Sequence, residues 1–312
     1  MDKIPVNIIS GFLGSGKTTA IIKLLRQKSA EEQWAVIINE FGKISIDSQT
    51  IRSITSDTGT VYDISGGCIC CSAKGYFQEN LQEIIGSGRY SRIIIEPSGL
   101  GGIDMVSEIV HESSNLQLMP VICLVDISCI EIPRLHLLPV YRAQISKADI
   151  IAFSKCDLLE DIMTQDRLVD RFKLQFPDKQ NCLILSDTKL LPLLSDHNSR
   201  FDEINSKYRI ITKDSLKLTD DNYRQKSYHF EKDTFFDTAQ LISFFNDHPL
   251  IIRAKGHLQT DKGWILLNFT LSGCSFEPCE AMDQNELIII SEKQSFDLMG
   301  TLDDKINATI QY

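Results

Sequence analysis

The sequence lacks a cluster of basic residues, a long apolar run and an internal repeat. Of its 312 residues, 32 are Lys or Arg and 42 are Asp or Glu, so the formal net charge is −10. Nucleic acids and anionic membrane surfaces are bound by clustered Lys and Arg, which argues against both as partners. No stretch approaches the roughly 18 continuous apolar residues of a membrane span, and the first residues contain no apolar signal-peptide core. We therefore expect a cytoplasmic protein that binds neither nucleic acid nor membranes.

Cysteine is too sparse for a secreted domain held together by disulfides. The chain contains nine cysteines, whereas disulfide-linked domains are usually smaller and richer in cysteine, so a reducing compartment is predicted. Cys123 and Cys182 lie in apolar runs and are interpreted as small buried residues. Three others are crowded into GGCICC, where Cys68, Cys70 and Cys71 fall within four positions.

Short apolar runs alternate with helical patterns over the first two thirds of the chain. Runs such as VNIIS, RIIIE and DIIAFS are typical of strands buried on both faces. This alternation predicts an α/β fold with a mostly parallel sheet covered by helices. After about residue 215 the chain becomes a polar linker, followed by one helix candidate and three strand candidates, which indicates a smaller α+β domain. The predicted domains are residues 1–214 and 215–312.

The stretch GFLGSGKTT, from residue 11 to 19, matches the phosphate-binding pattern G-x-x-x-x-G-K-[ST] of P-loop NTPases. It follows an apolar strand and precedes a helical pattern, as the motif requires. Its N–H groups and the helix dipole are suited to phosphates. Lys17 is expected to contact the β- and γ-phosphates, and the Thr18 hydroxyl to bind Mg²⁺. The predicted nucleotide-binding residues of this loop are Gly11, Gly14, Ser15, Gly16, Lys17, Thr18 and Thr19.

Acidic residues after two strands are candidates for the Mg²⁺ shell. Glu96 ends the apolar run RIIIE, and Gly99 follows three residues later. Glu96 is expected to hold the Mg²⁺ shell or orient the attacking water, while the Gly99 N–H contacts the γ-phosphate. Lys17 and Glu96 are therefore the catalytic candidates. In INEFGKISIDS, Asp47 is a further candidate Mg²⁺ ligand, with a helix cap or a solvated loop as the alternative.

The stretch SKCD, from Ser154 to Asp157, follows another apolar strand and favours guanine over adenine. GTPases carry N-K-x-D or T-K-x-D at this point. Asp157 is expected to accept hydrogen bonds from guanine N1 and the exocyclic amine, and the Lys155 stem to lie along the base. Ser154 stands where Asn is commoner, which leaves the tether between this loop and the phosphate loop in question. A simple polar turn is the alternative.

The three crowded cysteines predict a metal site. Thiolates this close repel one another unless a cation neutralises them, and Zn²⁺ prefers tetrahedral sulfur and nitrogen ligands. Gly66 and Gly67 permit a tight turn before the cysteines, and the dipole of a following helix would favour thiolates. Three local ligands leave a fourth position open, as suits a metal that is passed on. A redox thiol cluster, a cluster-binding loop and a buried trio remain alternatives.

Together, GFLGSGKTT, INEFG, GGCICC, EPSGL and SKCD, in this order, resemble the CobW-type GTPases, relatives of the nickel-chaperone GTPases that serve urease and hydrogenase. The resemblance covers about residues 3–190 and continues more loosely to RAKGHL at 253–258. It implies a P-loop GTPase with weak intrinsic hydrolysis, which binds GTP or GDP with Mg²⁺. It also implies Zn²⁺ or Co²⁺ at Cys68, Cys70 and Cys71, and a client metalloprotein or cofactor-assembly protein as partner. The oligomeric state, a homodimer included, stays open.

The sequence departs from this family at three points. Ser154 replaces Asn, Pro97 replaces a small polar residue, and a histidine-rich stretch is missing, which argues against a bulk metal buffer. The expected function is a GTP-hydrolysing metallochaperone or metal-insertion factor. The alternative is a GTP-dependent activator or switch for a corrinoid or metalloenzyme client, whose cysteines are redox or structural groups without metal cargo. A P-loop small-molecule kinase is disfavoured by SKCD.

Overall fold

The chain divides into two compact units, Met1–Leu218 and Thr219–Tyr312, in a computed structural model. The structure describes residues 3–38, 59–63, 73–98, 102–159, 161–179, 181–185, 190–194, 223–292 and 310–311. Within these ranges, no helix combines the length and the apolar character needed to cross a bilayer.

The first unit is built on a parallel β-sheet. Its strands are β1 (Ile4–Gly11), β2 (Trp34–Ile38), β3 (Gly59–Asp63), β4 (Arg92–Glu96), β5 (Leu116–Leu118), β6 (Ile122–Asp126), β7 (Ile150–Ser154) and β8 (Cys182–Ile184). They are ordered β3-β2-β4-β1-β6-β7-β8, and β5 pairs with the first residues of β1. All of these pairings are parallel. The carboxyl ends of the strands therefore lie at one edge of the sheet.

Helices bury both faces of this sheet. They are α1 (Lys17–Gln27), α2 (Ala73–Ser87), α3 (Ile103–Glu112), α4 (Pro133–Leu137), α5 (Pro139–Lys147), α6 (Ile162–Gln175) and α7 (Leu190–Leu193). Along β4, Ile93 and Ile95 belong to a core cluster that includes residues of α2 and α3, whereas Ile94 belongs to a second cluster with residues of α1 and α7. Alternate side chains enter opposite cores, which explains why the strands are continuously apolar.

The described part of the second unit combines a mostly antiparallel sheet with one helix. Its elements are β9 (Tyr223–Phe230), β10 (Phe235–Phe236), α8 (Thr238–Asp247), β11 (Ile251–Thr260), β12 (Gly263–Thr270), β13 (Gly273–Pro278), β14 (Asn285–Glu292) and β15 (Ile310–Gln311). Five of its strands are ordered β13-β12-β11-β14-β9 and run antiparallel, while β10 pairs in parallel with β11. The α8 residues Leu241, Phe244 and Phe245 share a core with Leu258 and Leu267 of the sheet. The predicted fold class, a P-loop α/β core with a smaller α+β domain, is confirmed.

One segment differs from the sequence-based expectation. The polar stretch that ends near residue 229 is interpreted as linker in the sequence, but its last residues form β9. Tyr228 and Phe230 pack against the second unit's core, while Ser227 and His229 are exposed. Because β9 lies at the border of the sheet and buries only one face, its composition is largely polar.

Candidate nucleotide-binding site

Four neighbouring strands end in the residues from which the site is built. The strands β4, β1, β6 and β7 are adjacent in that order. Their last residues are, respectively, Glu96, Gly11, Asp126 and Ser154. The chain fills one side of β1 with β2, β3 and β4 and the other side with β6, β7 and β8. Ligands of open parallel sheets bind beyond the carboxyl ends of the strands at such a switch in strand order. The topology thus gathers the predicted phosphate and base motifs at one edge.

The phosphate loop turns sharply between β1 and α1. Gly14 and Gly16 have φ values of 80° and 86°, in the left-handed region that favours glycine. Gly16 is the N-cap of α1 without a side-chain cap, so the first N–H groups of the helix keep their capacity to bind an anion. Lys17 is 6% exposed, and its Nζ donates to the Gly11 carbonyl at 3.0 Å and to the Phe12 carbonyl at 3.3 Å. The loop geometry fits a bound phosphate group.

Gly11 allows the close approach of the loop to β6. A Cβ at this position would lie 2.4 Å from Ser15 Oγ and 2.5 Å from the Leu124 carbonyl oxygen, and the φ of 146° disfavours side chains. We expect Gly11→Ala to lower the free energy of unfolding by about 3 kcal/mol, because steric overlap and backbone strain add. Urea denaturation would measure this loss.

Gly86 offers the matched control, because it lies within α2 and a Cβ there meets no atom within 4 Å. Gly86→Ala should raise the free energy of unfolding by about 0.5 kcal/mol, since alanine has the higher helix propensity. Equal stability of the Gly11→Ala variant and the wild-type protein would contradict the assigned loop geometry.

The Glu96 carboxylate and the Thr18 hydroxyl are hard oxygen groups of the kind that Mg²⁺ prefers. Glu96 is 4% exposed and ends β4, where it pairs in register with Ile38 of β2. Thr18 lies in the first turn of α1 and is half-buried. Their chemistry fits the predicted Mg²⁺ shell. The further predicted residues Asp47 and Gly99 lie outside the described residues.

The predicted base-binding residues lie in a tight turn after β7. Lys155 adopts the left-handed conformation with a φ of 59°, and a short 3₁₀ turn follows over Cys156–Leu158. Asp157 is exposed within this turn, whereas the preceding Ser154 is buried. The exposed Asp157 carboxylate is therefore accessible to hydrogen-bond donors of a ligand.

Ser154 supplies the tether that its replacement of Asn had put in question. The Ser154 Oγ donates to the Ser15 carbonyl oxygen at 2.8 Å, and this hydrogen bond is buried. The base-binding turn and the phosphate loop are therefore joined directly through a hydroxyl. Serine is shorter than asparagine, but its hydroxyl reaches the phosphate loop because the two segments lie close together. Their proximity is shown at Gly16, where an added Cβ would lie 4.0 Å from the Ser154 Cβ.

Asp126 belongs to this site and was missed by the motif search. Its Oδ2 lies 2.6 Å from Lys155 Nζ, and its Oδ1 accepts from the Ser128 N–H at 3.0 Å and from the Ser128 Oγ at 2.6 Å. Asp126 also pairs in register with Ser154. A signal was present in the sequence, because Asp126 is the only charged residue of the apolar run PVICLVD and ends it, as Glu96 ends RIIIE.

Comparison with known proteins shows which family contains this nucleotide-binding domain. Residues 5–182 match the family model described as "CobW/HypB/UreG, nucleotide-binding domain", which is more than half of the chain. The chain belongs to the CobW/HypB/UreG family. The predicted resemblance is thus confirmed, and the matched range contains the phosphate loop, Glu96, Asp126 and the base-binding turn of this CobW/HypB/UreG domain.

Curated relatives include several zinc chaperones. Zinc chaperone YeiR from Escherichia coli (strain K12) is 29% identical over 292 residues, which cover 84% of this chain and 85% of that protein. Zinc chaperone YjiA from the same organism is 30% identical over 167 residues, or 51% of each chain. Zinc-regulated GTPase metalloprotein activator 1 from Saccharomyces cerevisiae is 36% identical over 102 residues, which cover 31% of this chain and 24% of that protein.

Among solved structures, a crystal structure of HypB from Helicobacter pylori in complex with nickel covers 66% of this chain and 88% of its own, with 19% identity and a TM-score of 0.42.

The cysteine motif of this CobW/HypB/UreG protein falls between two described elements. Cys68, Cys70 and Cys71 lie outside the described residues, between the end of β3 at Asp63 and the start of α2 at Ala73. Because β3 is parallel to β2, its last residue lies at the edge of the sheet where the phosphate loop begins.

Cys123 and Cys156, two of the described cysteines, are buried thiols. Burial raises the pKa of the Cys123 thiol to about 11, and burial with the carboxylates of Asp157 and Asp126 raises that of Cys156 to about 11. Both thiols therefore stay protonated at neutral pH, whereas metals bind the thiolate. Across the ranges that the structure describes, no three or more His, Cys, Asp and Glu side chains are grouped to hold a metal ion.

Proposed function

We propose that this CobW/HypB/UreG-family protein is a GTP-hydrolysing metallochaperone or metal-insertion factor, in which the nucleotide state controls binding and release of a metal cargo. The observation that carries the proposal is the buried hydrogen bond from Ser154 to Ser15, which joins the turn carrying Lys155 and Asp157 to the phosphate loop. This hydrogen bond supports the proposal because it holds the proposed guanine acceptor and the phosphate loop together at the same edge of the sheet.

GTP binds with its base at Asp157 and its phosphates at the loop that contains Lys17. Lys17 has its ammonium group over the Gly11 and Phe12 carbonyls, where a phosphate can take over these contacts. Thr18, Glu96 and Asp47 would hold Mg²⁺, which neutralises charge on the phosphates when it is bound. Glu96 orients the attacking water, and intrinsic hydrolysis is slow until a client engages.

The cargo is Zn²⁺ or Co²⁺, and its ligands are Cys68, Cys70 and Cys71. The chain enters this segment from β3 at the nucleotide edge of the sheet and leaves it into α2. The N-terminus of α2 follows the last cysteine by two residues, and its positive dipole favours thiolates over thiols. The curated names of the zinc chaperones that match this chain support a metal cargo.

The nucleotide and the cargo are coupled in this proposal. GTP orders the loops at the carboxyl edge and completes the cysteine site, and hydrolysis relaxes them, so that the metal passes to a client metalloprotein or cofactor-assembly protein. By linkage, the metal must tighten GTP binding by the same factor by which GTP tightens metal binding. This reciprocity allows the coupling to be tested from either side.

The test measures metal affinity in two nucleotide states. Reduced, metal-free protein should bind about one Co²⁺ or Zn²⁺ per chain about 10-fold more tightly with a non-hydrolysable GTP analogue and Mg²⁺ than with GDP, a factor typical of coupled sites. Co²⁺ reports its ligands directly through thiolate-to-metal charge transfer and the absorption bands of a tetrahedral site. Affinity should fall as the pH drops below the thiol pKa values, because the ligands must lose protons.

Substitutions distinguish cargo binding from a structural or redox role. Cys70→Ser should remove the charge-transfer band and leave GDP affinity within about twofold, because the phosphate loop is a separate element. Cys279→Ser, in the second unit, is the matched control and should keep the band. Equal metal affinity in both nucleotide states, together with full metal retention after Cys70→Ser, would favour a GTP-dependent switch without metal cargo.

A further inference from the structure

We infer that Asp126 is a positioning residue for the nucleobase, because its ion pair holds Lys155 in the orientation that guanine binding requires. The Lys155 Nζ lies 2.6 Å from the Asp126 Oδ2. The inference rests on the proposed guanine-nucleotide binding and adds a residue that lies outside the nucleotide motifs. Asp126 itself is 6% exposed and is expected to act through Lys155.

The backbone of Lys155 is held in an unfavourable conformation. Among the described residues it is the one non-glycine residue with a positive φ, at 59°. L-residues pay a steric cost in this region, and such conformations persist where the surroundings over-determine them. Two contacts act here, the Asp126 ion pair on the Lys155 side chain and the hydrogen bond of the preceding Ser154 to Ser15. The turn is therefore held both at the Lys155 side chain and at Ser154, the residue before it.

Asp126 is itself held by neighbouring groups. Its second oxygen, Oδ1, accepts from both the N–H and the Oγ of Ser128, so the carboxylate is held on two sides. It ends β6 in register with Ser154 of β7, which places the anchor on the neighbouring strand rather than on a loop. A buried carboxylate needs a compensating cation, and the Lys155 ammonium provides it.

The ion pair prepares the lysine stem for the base. A lysine side chain has considerable rotamer freedom, which a ligand must remove if it packs against the stem. With Nζ anchored at Asp126, the lysine side chain has less rotamer freedom left to lose when the base arrives. The ion pair should therefore affect contacts to the base and leave contacts to the phosphates unchanged. This difference separates a positioning role from a general contribution to folding.

A double-mutant cycle tests the inference with two ligands. Calorimetry would compare the affinities for GDP and for inorganic pyrophosphate with Mg²⁺ in the wild-type protein, Asp126→Asn, Lys155→Met and the double variant. Asp126→Asn is isosteric and should weaken GDP binding about 10-fold, a coupling typical of contacting residues, while pyrophosphate affinity changes less than about twofold. The double variant should bind GDP no more weakly than Lys155→Met, since Asp126 acts through the lysine.

Asp149 supplies a matched control at the other end of the same two strands. Its Oδ2 accepts from the Val121 N–H at 2.8 Å just before β6 and β7 begin, so Asp149→Asn also alters a carboxylate that links them. This variant should leave the ratio of GDP to pyrophosphate affinity unchanged. If Asp126→Asn does not fold, Asp126→Ser replaces it in the comparison of GDP with pyrophosphate affinity, since the serine hydroxyl keeps a short acceptor near Ser128.

Three outcomes would overturn the inference. They are unchanged GDP affinity in Asp126→Asn, additive losses in the double variant, and equal weakening of GDP and pyrophosphate. Each of these leaves guanine-nucleotide binding by the wild-type protein intact. Wild-type protein that binds pyrophosphate but shows no preference for GDP over ADP would instead overturn the proposed function and this inference together.

Discussion

Replacing Lys17 with alanine is expected to lower the rate of GTP hydrolysis by at least about 100-fold, the effect of removing one group that stabilises transition-state charge. Lys17 is buried beside the Gly11 and Phe12 carbonyls and is the cation that the phosphate loop itself supplies. Charge that develops on the transferring phosphoryl group would then lose its main protein partner. Release of inorganic phosphate under single-turnover conditions measures the effect.

Arg26 provides a control on the same helix. It lies in the last turn of α1 and is exposed, so Arg26→Ala removes a cation of the same charge without touching the loop. This variant should hydrolyse GTP at the wild-type rate within about twofold, because surface substitutions away from specific contacts have small effects. Wild-type turnover in Lys17→Ala would exclude the phosphate loop from hydrolysis.

Asp157→Asn is expected to weaken GTP binding by about 100-fold and to favour xanthosine triphosphate. The carboxylate can accept two charge-assisted hydrogen bonds from guanine, each contributing about 1.5–3 kcal/mol. An asparagine amide accepts one bond and donates one, which matches the 2-oxo group of xanthine instead of the 2-amino group of guanine. Competition of both triphosphates against a fluorescent GDP analogue measures the change.

Asp161→Asn is the control for Asp157. Asp161 is an exposed N-cap of α6 that accepts from the Thr164 N–H at 2.7 Å and the Thr164 Oγ1 at 2.9 Å. Asparagine caps helices about as well as aspartate, so stability and nucleotide choice should both be retained. Equal affinity of the wild-type protein for GTP and ATP would remove Asp157 from base recognition.

Regular elements with a strong local pattern were predicted closely. The run RIIIE coincides with β4, and the helix candidate TAQLISFFND coincides with α8. RIIIE is a continuous apolar run because both faces of β4 are buried, whereas in TAQLISFFND the buried side chains recur at the helical period, so each pattern predicts its element. The short strands β3, β10 and β13 were not predicted, because a few residues on a one-sided or peripheral strand carry little periodic signal.

The candidate site likewise contains residues that a local sequence motif indicates and residues that no local motif indicates. The phosphate loop, Glu96 and the SKCD turn could be predicted as site residues because each motif is contiguous and follows a recognisable strand. Asp126 was not found, because its role depends on a partner in the turn that follows the neighbouring strand. Asp47, Gly99 and the three cysteines of GGCICC lie outside the described residues, so their roles stay predictions.

The sequence by itself determined the family and the parallel sheet, because strand burial and the family's motifs depend on residues that are close along the chain. Only the tertiary structure decided how the loops cooperate. The Ser154–Ser15 hydrogen bond joins residues 139 positions apart, and the Asp126–Lys155 ion pair crosses from one strand end to the next. Such contacts follow from strand order and register, which bring distant residues to one edge of the sheet and which no local pattern encodes.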